Sequence, residues 1–290
     1  MQSTTLCRFR HDSVPGVRIG LLTPDQSVTD LTAVGVLRMQ DLLDLEDPAA
    51  EISNITREAA VAPYPLQTVE LLTPVEAQEV WAAGVTYLRS KQARMVESEF
   101  SATAYDRVYD APRPEIFFKS LPEKVVSPHA PVGIRRDATW NVPEPELALV
   151  INSAAKIVGF TIGNDMSSRD IEGENLLYLP QAKIYDGSCA VGPWIVLGPT
   201  ESDARQWTIH LEILRGGNTV FEGETSVSNI KRSFAELVEC LFRSQKFPRG
   251  AVLLTGAGIV PADSFTLNAD DSIIIMISGI GTLQNTVVVV

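Results

Sequence analysis

Apolar positions along this chain fall into short runs separated by turn residues, the pattern of strands more than of long helices. Thr5 to His11 and then Val17 to Leu22 read as strands, followed by the turn-forming Pro24-Asp25-Gln26. Trp207 to Leu214 and Val220 to Ser226 alternate around Gly216-Gly217-Asn218, a hairpin signal. Glu79 to Val85, the segment entered at Glu115, Leu147 to Ile151 and Ile157 to Ile162 are further strand candidates. Helical spacing is confined to Met39–Leu45, Ala49–Ala60, Ser90–Phe100 and Ser233–Ser244. In the last of these Phe234, Leu237, Val238 and Leu241 share one face. The pattern predicts a mixed α/β, β-rich fold. Residues 1–70 form a small N-terminal α/β cap ending in the Pro-containing stretch 62–65, and residues 71–290 form the main domain.

The most informative stretch runs from Thr139 to Trp194. Glu144 and Glu146 lie in an apolar run bounded by Pro143 and Asn152, and period two points them the same way, about 7 Å apart. A hairpin about Asn152-Ser153-Ala154-Ala155 returns Asp165 to a position beside Glu144. An E-x-E in a strand is commonly a solvated face. Here it is embedded in apolar residues, and buried ionised carboxylates need a partner. Three carboxylates with neither His nor Cys form a hard oxygen donor set, suited to Mg²⁺, Mn²⁺ or Ca²⁺ rather than Zn²⁺.

Composition narrows the partners. The chain has 290 residues, 45% hydrophobic, which suffices for a full core. A net charge of −12 argues against nucleic acid or an anionic membrane as partner. No run approaches the roughly 18 apolar residues of a membrane span, and residues 1–6 lack the pattern of a signal peptide. Cys7, Cys189 and Cys240 have neither paired nor metal-like spacing, which predicts reduced thiols and a cytoplasmic protein. His11 reads as structural or surface, and His129, between two prolines, as solvated.

Several segments together carry a resemblance. Glu144-Pro145-Glu146-Leu147-Ala148-Leu149-Val150, Gly159 to Asp170, and Lys183 ahead of Gly192-Pro193-Trp194 come in order. They are followed by Val252 to Gly256 and by the ending Gly279 to Thr286. Over about residues 80 to 290 the chain resembles the fumarylacetoacetate hydrolase superfamily. Gly84 to Ser90 and Tyr178 to Gly187 make it most similar to the 2-keto-3-deoxy-sugar-acid dehydratases within it. The resemblance implies a mixed sheet curling into a barrel, a Mg-dependent site of Glu144, Glu146 and Asp165, and a homo-oligomer, dimer or tetramer.

It also implies roles. Hydrolytic members carry a His where this chain has Ser90, three residues after Tyr87. Without that imidazole the usual base for water attack is missing. Arg89 is either a clamp for a substrate carboxylate or a surface arginine at a helix start. Glu115, beside Pro114 at a strand start, reads equally as a cavity-facing side chain or an exposed loop acid on its sequence alone, and as an acid/base group by resemblance. Phe118 and Lys119 belong to a family-common segment, with Lys119 facing substrate or pairing with a carboxylate. Thr255 and the Gly256 amide, in a tight turn, are candidates to hold a carboxylate. Ser167 or Ser168 is expected to cap a helix, and Arg169 with Asp170 falls where the resemblance places an Arg–acid pair near the metal, or forms a structural ion pair, the favoured reading. Lys183, in a loop rich in Leu, Tyr and Pro beside a cation, is expected to titrate low and act as a proton acceptor.

The expected reaction is dehydration of a 2-keto-3-deoxy pentonate, such as 2-keto-3-deoxy-D-arabinonate, to 2,5-dioxopentanoate. Lys183 and Glu115 share the acid and base roles, which are exchangeable. Three other readings compete: a metal-dependent C–C hydrolase of a diketo acid or acylpyruvate, an idle keto-acid-binding homologue, and a Schiff-base lyase using Lys183.

Overall fold

A computed structural model describes residues 4–58, 61–88 and 108–290. Its centre is the strand Pro145–Ile151, buried at every position. Neighbours cover both of its edges, Ile157–Asp165 and Ala251–Leu254, each antiparallel to it. Both faces are covered too. Leu147, Leu149 and Ile151 join the main core, Ala148 a second cluster, and Val150 a third.

The large sheet has 11 strands. Its path runs Tyr64–Pro65, Ser27–Asp30, Val14–Thr23, Thr4–His11, Cys189–Leu197, Ile157–Asp165, Pro145–Ile151, Ala251–Leu254, Glu79–Gly84, Glu115–Ser120, with Glu70–Leu72 also beside Thr4–His11. Every neighbouring pair is antiparallel except Ala251–Leu254 with Glu79–Gly84. Among the described residues the path has two ends, and no pairing closes it into a ring. The N-terminal strands extend this same sheet through Thr4–His11 against Cys189–Leu197. The helices Met39–Leu43 and Pro48–Glu58 lay Met39, Leu42, Leu43 and Ile52 onto Val150, Ile195 and Leu197. Within the expected linker, Tyr64–Pro65 pairs with Ser27–Val28, and the Tyr64 ring stacks on His11 at 4.3 Å.

A five-stranded sheet packs against the first: Asn218–Ser226, Thr208–Arg215, Ser272–Ile277, Gly281–Val289 and Val132–Ile134. Ile209, Leu211, Ile213, Ile273, Ile275 and Ile277 meet Leu147, Leu149 and Phe160 across the interface. The helix Phe234–Phe242, capped by the Ser233 side chain, buries Phe234, Leu237, Val238 and Leu241 in the same core. The expected Ser90–Phe100 helix lies outside the described residues. Cys7, Cys189 and Cys240 are free thiols. Among the described residues no helix is long and apolar enough to cross a membrane.

Candidate metal and active site

The hairpin arithmetic of the sequence holds in three dimensions. Glu146 pairs with Gly163 and Pro145 with Asn164, and the Asp165 amide donates to the Glu144 carbonyl at 3.0 Å. The short pair Asn141–Val142 with Ser167–Ser168 fixes the entry to one strand and the exit from the other. Glu144, Glu146 and Asp165 are all buried and offer oxygens within 4.8 Å of one another. The next strand closes the site from the side. Thr255 is pinned to the Leu147 carbonyl by its amide at 3.0 Å and its hydroxyl at 2.8 Å. The chain then turns at Gly256, whose amide donates to Glu146 at 2.5 Å. Gly256 has φ 94°, and a Cβ there would lie 2.1 Å from Thr86 Oγ1, so glycine is required twice over.

Three buried cations face these acids. Lys183 ends the short helix Leu179–Lys183 and donates to Glu144 at 2.8 Å, Asp165 at 3.1 Å and Ser167 Oγ at 2.5 Å. Its ammonium lies 5.9 Å from the centre of the Phe117 ring. Arg169 reaches Glu144 at 3.0 Å and Glu172 at 4.0 Å. Lys119 pairs with Asp165 at 2.5 Å and donates to the carbonyls of Met166, at 3.0 Å, and of Lys183. With Glu172, four buried carboxylates stand against three cations.

Glu146 bears the imbalance. Gly256 is its hydrogen-bond donor among the described residues, and burial, followed by the charges of Asp165 and Glu144, holds its pKa well above the ordinary carboxylate value. A carboxylate so placed takes up either a proton or a cation. Opposite oxygens around Mg²⁺ are about 4.2 Å apart, and around Ca²⁺ up to about 5 Å. The 4.8 Å cluster and its all-oxygen donors therefore fit a hard divalent cation.

The remaining candidate residues sort by strand face. In Glu115–Ser120, period two turns Glu115, Phe117 and Lys119 to one side. Phe117 lines the inner cavity with Gly84, Val85, Arg169 and the three carboxylates. Glu115 sits opposite Gly84, where a Cβ would come within 2.0 Å of its Oε2, and lines the adjoining cavity with Arg113, Glu172 and Leu179. Phe118 is on the other side, edge-on to Trp81 at 5.7 Å, so it is Phe117 that faces the site. Tyr87 is buried in the main core against Gly258, and burial, then Glu146, push its hydroxyl pKa up. Arg89 and Ser90 lie outside the described residues.

Two local expectations are corrected. Ser168 occupies the N-cap position of the helix Arg169–Glu174 but makes no side-chain cap bond. Its hydroxyl donates to Asn141 at 2.8 Å instead, and Ser167 serves Lys183. Arg169 pairs with Glu144 rather than Asp170, whose carboxylate accepts from the Thr139 amide and hydroxyl at 2.6 and 2.9 Å. The sequence reading also passed over Phe117, Glu172 and Val85. Phe117 was recoverable from its phase with Glu115. Val85 holds φ 52°, strained for a β-branched residue, against the inner cavity, and no residue pattern announces that.

Comparison with known proteins agrees with this geometry. The family model described as fumarylacetoacetate (FAA) hydrolase C-terminal matches residues 79–288. A probable 2-keto-3-deoxyxylonate dehydratase of Haloferax volcanii is 44% identical over 238 residues, covering 82% of each chain. A 2-dehydro-3-deoxy-D-arabinonate dehydratase of Saccharolobus solfataricus is 38% identical, over 80% of this chain and 79% of that one. Among solved structures, a 2-keto-3-deoxy-D-arabinonate dehydratase complexed with magnesium and 2,5-dioxopentanoate superposes with a TM-score of 0.78. It shares 32% identity over 99% of both chains. With the family model spanning the strands that build the site, the chain belongs to the fumarylacetoacetate hydrolase family.

Proposed function

We propose that this chain is a Mg-dependent hydro-lyase that converts a 2-keto-3-deoxy pentonate to 2,5-dioxopentanoate and water. The observation that carries the reading is the buried ammonium of Lys183 within 2.8 and 3.1 Å of two acids of the triad, with Glu115 across Gly84. Similarity to dehydratases of the arabinonate and xylonate series, and the magnesium in one solved relative, support it. A divalent cation held by Glu144, Glu146 and Asp165 would supply positive charge for the substrate's carboxylate and C2 keto oxygen, which acidifies C3. Lys183, in its neutral amine form, takes a proton from C3, and a protonated Glu115 gives one to the C4 hydroxyl, which leaves as water. Transfer of a proton from C5 to C3 then gives the C4–C5 enol, and passage of its hydroxyl proton to C4 gives the aldehyde. The roles of the two residues are exchangeable. Arg169 holds Glu144 in place throughout.

The same proposal includes a cytoplasmic location, assembly as a homo-oligomer, and a boundary near residue 70 between the cap and the catalytic part. The family match beginning at residue 79 supports that boundary. Light scattering reads the assembly state. The reaction is tested by offering 2-keto-3-deoxy-D-arabinonate, its C4 epimer and acylpyruvates, with and without chelator, and assaying for aldehyde. Magnesium-dependent aldehyde from the deoxy acids is expected. Cleavage of acylpyruvates at a comparable rate would favour the hydrolase instead.

A further inference from the structure

Lys119 was expected to touch substrate or to balance a carboxylate, and its surroundings suit neither role alone. Its side chain is fully buried. Two of its ammonium hydrogens go to the Met166 and Lys183 carbonyls, and its charge forms an ion pair with Asp165 Oδ1 at 2.5 Å. The three partners come from different parts of the site. Asp165 and Met166 lie at the end of the Ile157–Asp165 strand and just beyond it, and Lys183 is the last residue of a five-residue helix.

We infer that Lys119 is a positioning residue that sets the orientation of the Asp165 carboxylate and the place of Lys183 at once. With Oδ1 paired to Lys119, Asp165 presents Oδ2 to Lys183 Nζ. Lys183 is held at both ends: its carbonyl by Lys119, its ammonium by Glu144, Asp165 and Ser167. A helix this short has little cooperativity of its own to fix its last residue, so a tie to the end strand of the large sheet determines where Nζ points. Period two places Lys119 in phase with Glu115 and Phe117, so one strand carries a proton donor, a cavity wall and this tie.

The inference rests on the metal reading of the triad, and a charge-only role gives the opposite sign. Removing a positive charge beside the acids would, by Coulomb's law alone, strengthen cation binding. Losing the tie would weaken it. The test is magnesium titration calorimetry on full-length wild type, K119M and K119R. Thermal melts and kcat and KM on 2-keto-3-deoxy-D-arabinonate are measured alongside.

Positioning predicts that K119M binds magnesium about tenfold or more weakly, as when a ligand loses its outer partner. K119R should weaken as well, because a planar guanidinium cannot meet three partners arranged around an ammonium. At saturating magnesium kcat should fall about 10²-fold, the scale of a displaced catalytic group, with KM little changed. Tighter or equal binding by K119M overturns the inference, as does K119R with wild-type affinity and turnover. If K119M fails to fold, K119R alone decides by the same criteria. A wild type that binds no divalent cation defeats the metal reading; the split between kcat and KM in the two variants then decides the role of Lys119.

Discussion

Pro145–Ile151 and Thr208–Arg215 are strands of nearly equal length in facing sheets, and they solve different problems. Thr208–Arg215 alternates, with Ile209, Leu211 and Ile213 in the core and Glu212 and Arg215 turned outward to paired neighbours. Each of its charges keeps access to water. Pro145–Ile151 is buried throughout, and its only charged side chain, Glu146, goes down with the rest. Burying an ion without compensation costs several kcal/mol, so the second strand carries Glu146 either protonated or with a cation bound. Packing alone explains the first strand. The second requires a proton or a cation to complete its electrostatics.

Four substitutions measure the contrast. The largest effect is expected at Glu146→Gln, which should lose magnesium affinity more than about 100-fold, beyond the cost of an outer partner, and turnover with it. Calorimetry checks this. Glu146 also couples metal to pH. Its folded pKa is raised above the ordinary 4.5, so the metal-free fold holds that proton more tightly than the unfolded chain does. The contribution to stability is complete below the ordinary value and is lost as pH rises through the folded one. Magnesium, which binds the ionised form, should restore stability most at the upper end. Thermal melts of metal-free protein across this range should slope downward with pH, and E146Q should flatten them.

Next comes Lys183→Arg, which keeps the charge but cannot accept a proton. It should lower kcat about 10²-fold and slow exchange of the C3 protons in heavy water, observable by NMR. Rapid C3 exchange in this variant would move the base to Glu115. In the alternating sheet, Ile275→Val should cost about 1 kcal/mol of stability by chemical denaturation, with magnesium affinity unchanged. The smallest effect belongs to the rim, where exposed Glu222 meets His210 at 2.9 Å. Glu222→Ala should shift stability by less than about 0.5 kcal/mol and leave turnover alone. A functional loss there as large as at Lys183 would erase the distinction between the two strands.

What could be read in the sequence follows from the range of the interactions involved. Period two was enough to align Glu144 with Glu146, and one hairpin turn was enough to bring back Asp165. The 207–226 hairpin and the Phe234 helix are equally local. Interactions across long stretches of chain were not legible. The N-terminal strands were expected in a cap, but nothing in their pattern names Cys189–Leu197 as their partner. Arg169 was matched to its neighbour Asp170, whereas its partner Glu144 lies 25 positions away. Lys119 is satisfied partly by main-chain carbonyls, which have no residue identity to read.

The parallel strand Ala251–Leu254 has a consequence for the order in which the molecule can form. It is inserted between Pro145–Ile151 and Glu79–Gly84, although it is made about a hundred residues after the first of them. Until it arrives, the Ala148–Ile151 stretch presents an unpaired apolar edge, the kind of template that invites wrong pairing. Glu146 likewise waits for the Gly256 amide. Contacts of such sequence separation slow folding, because the loop must close before it is rewarded. The metal centre is therefore among the last parts of the fold to mature during synthesis, and a nascent chain halted before residue 251 carries its acids without their lid.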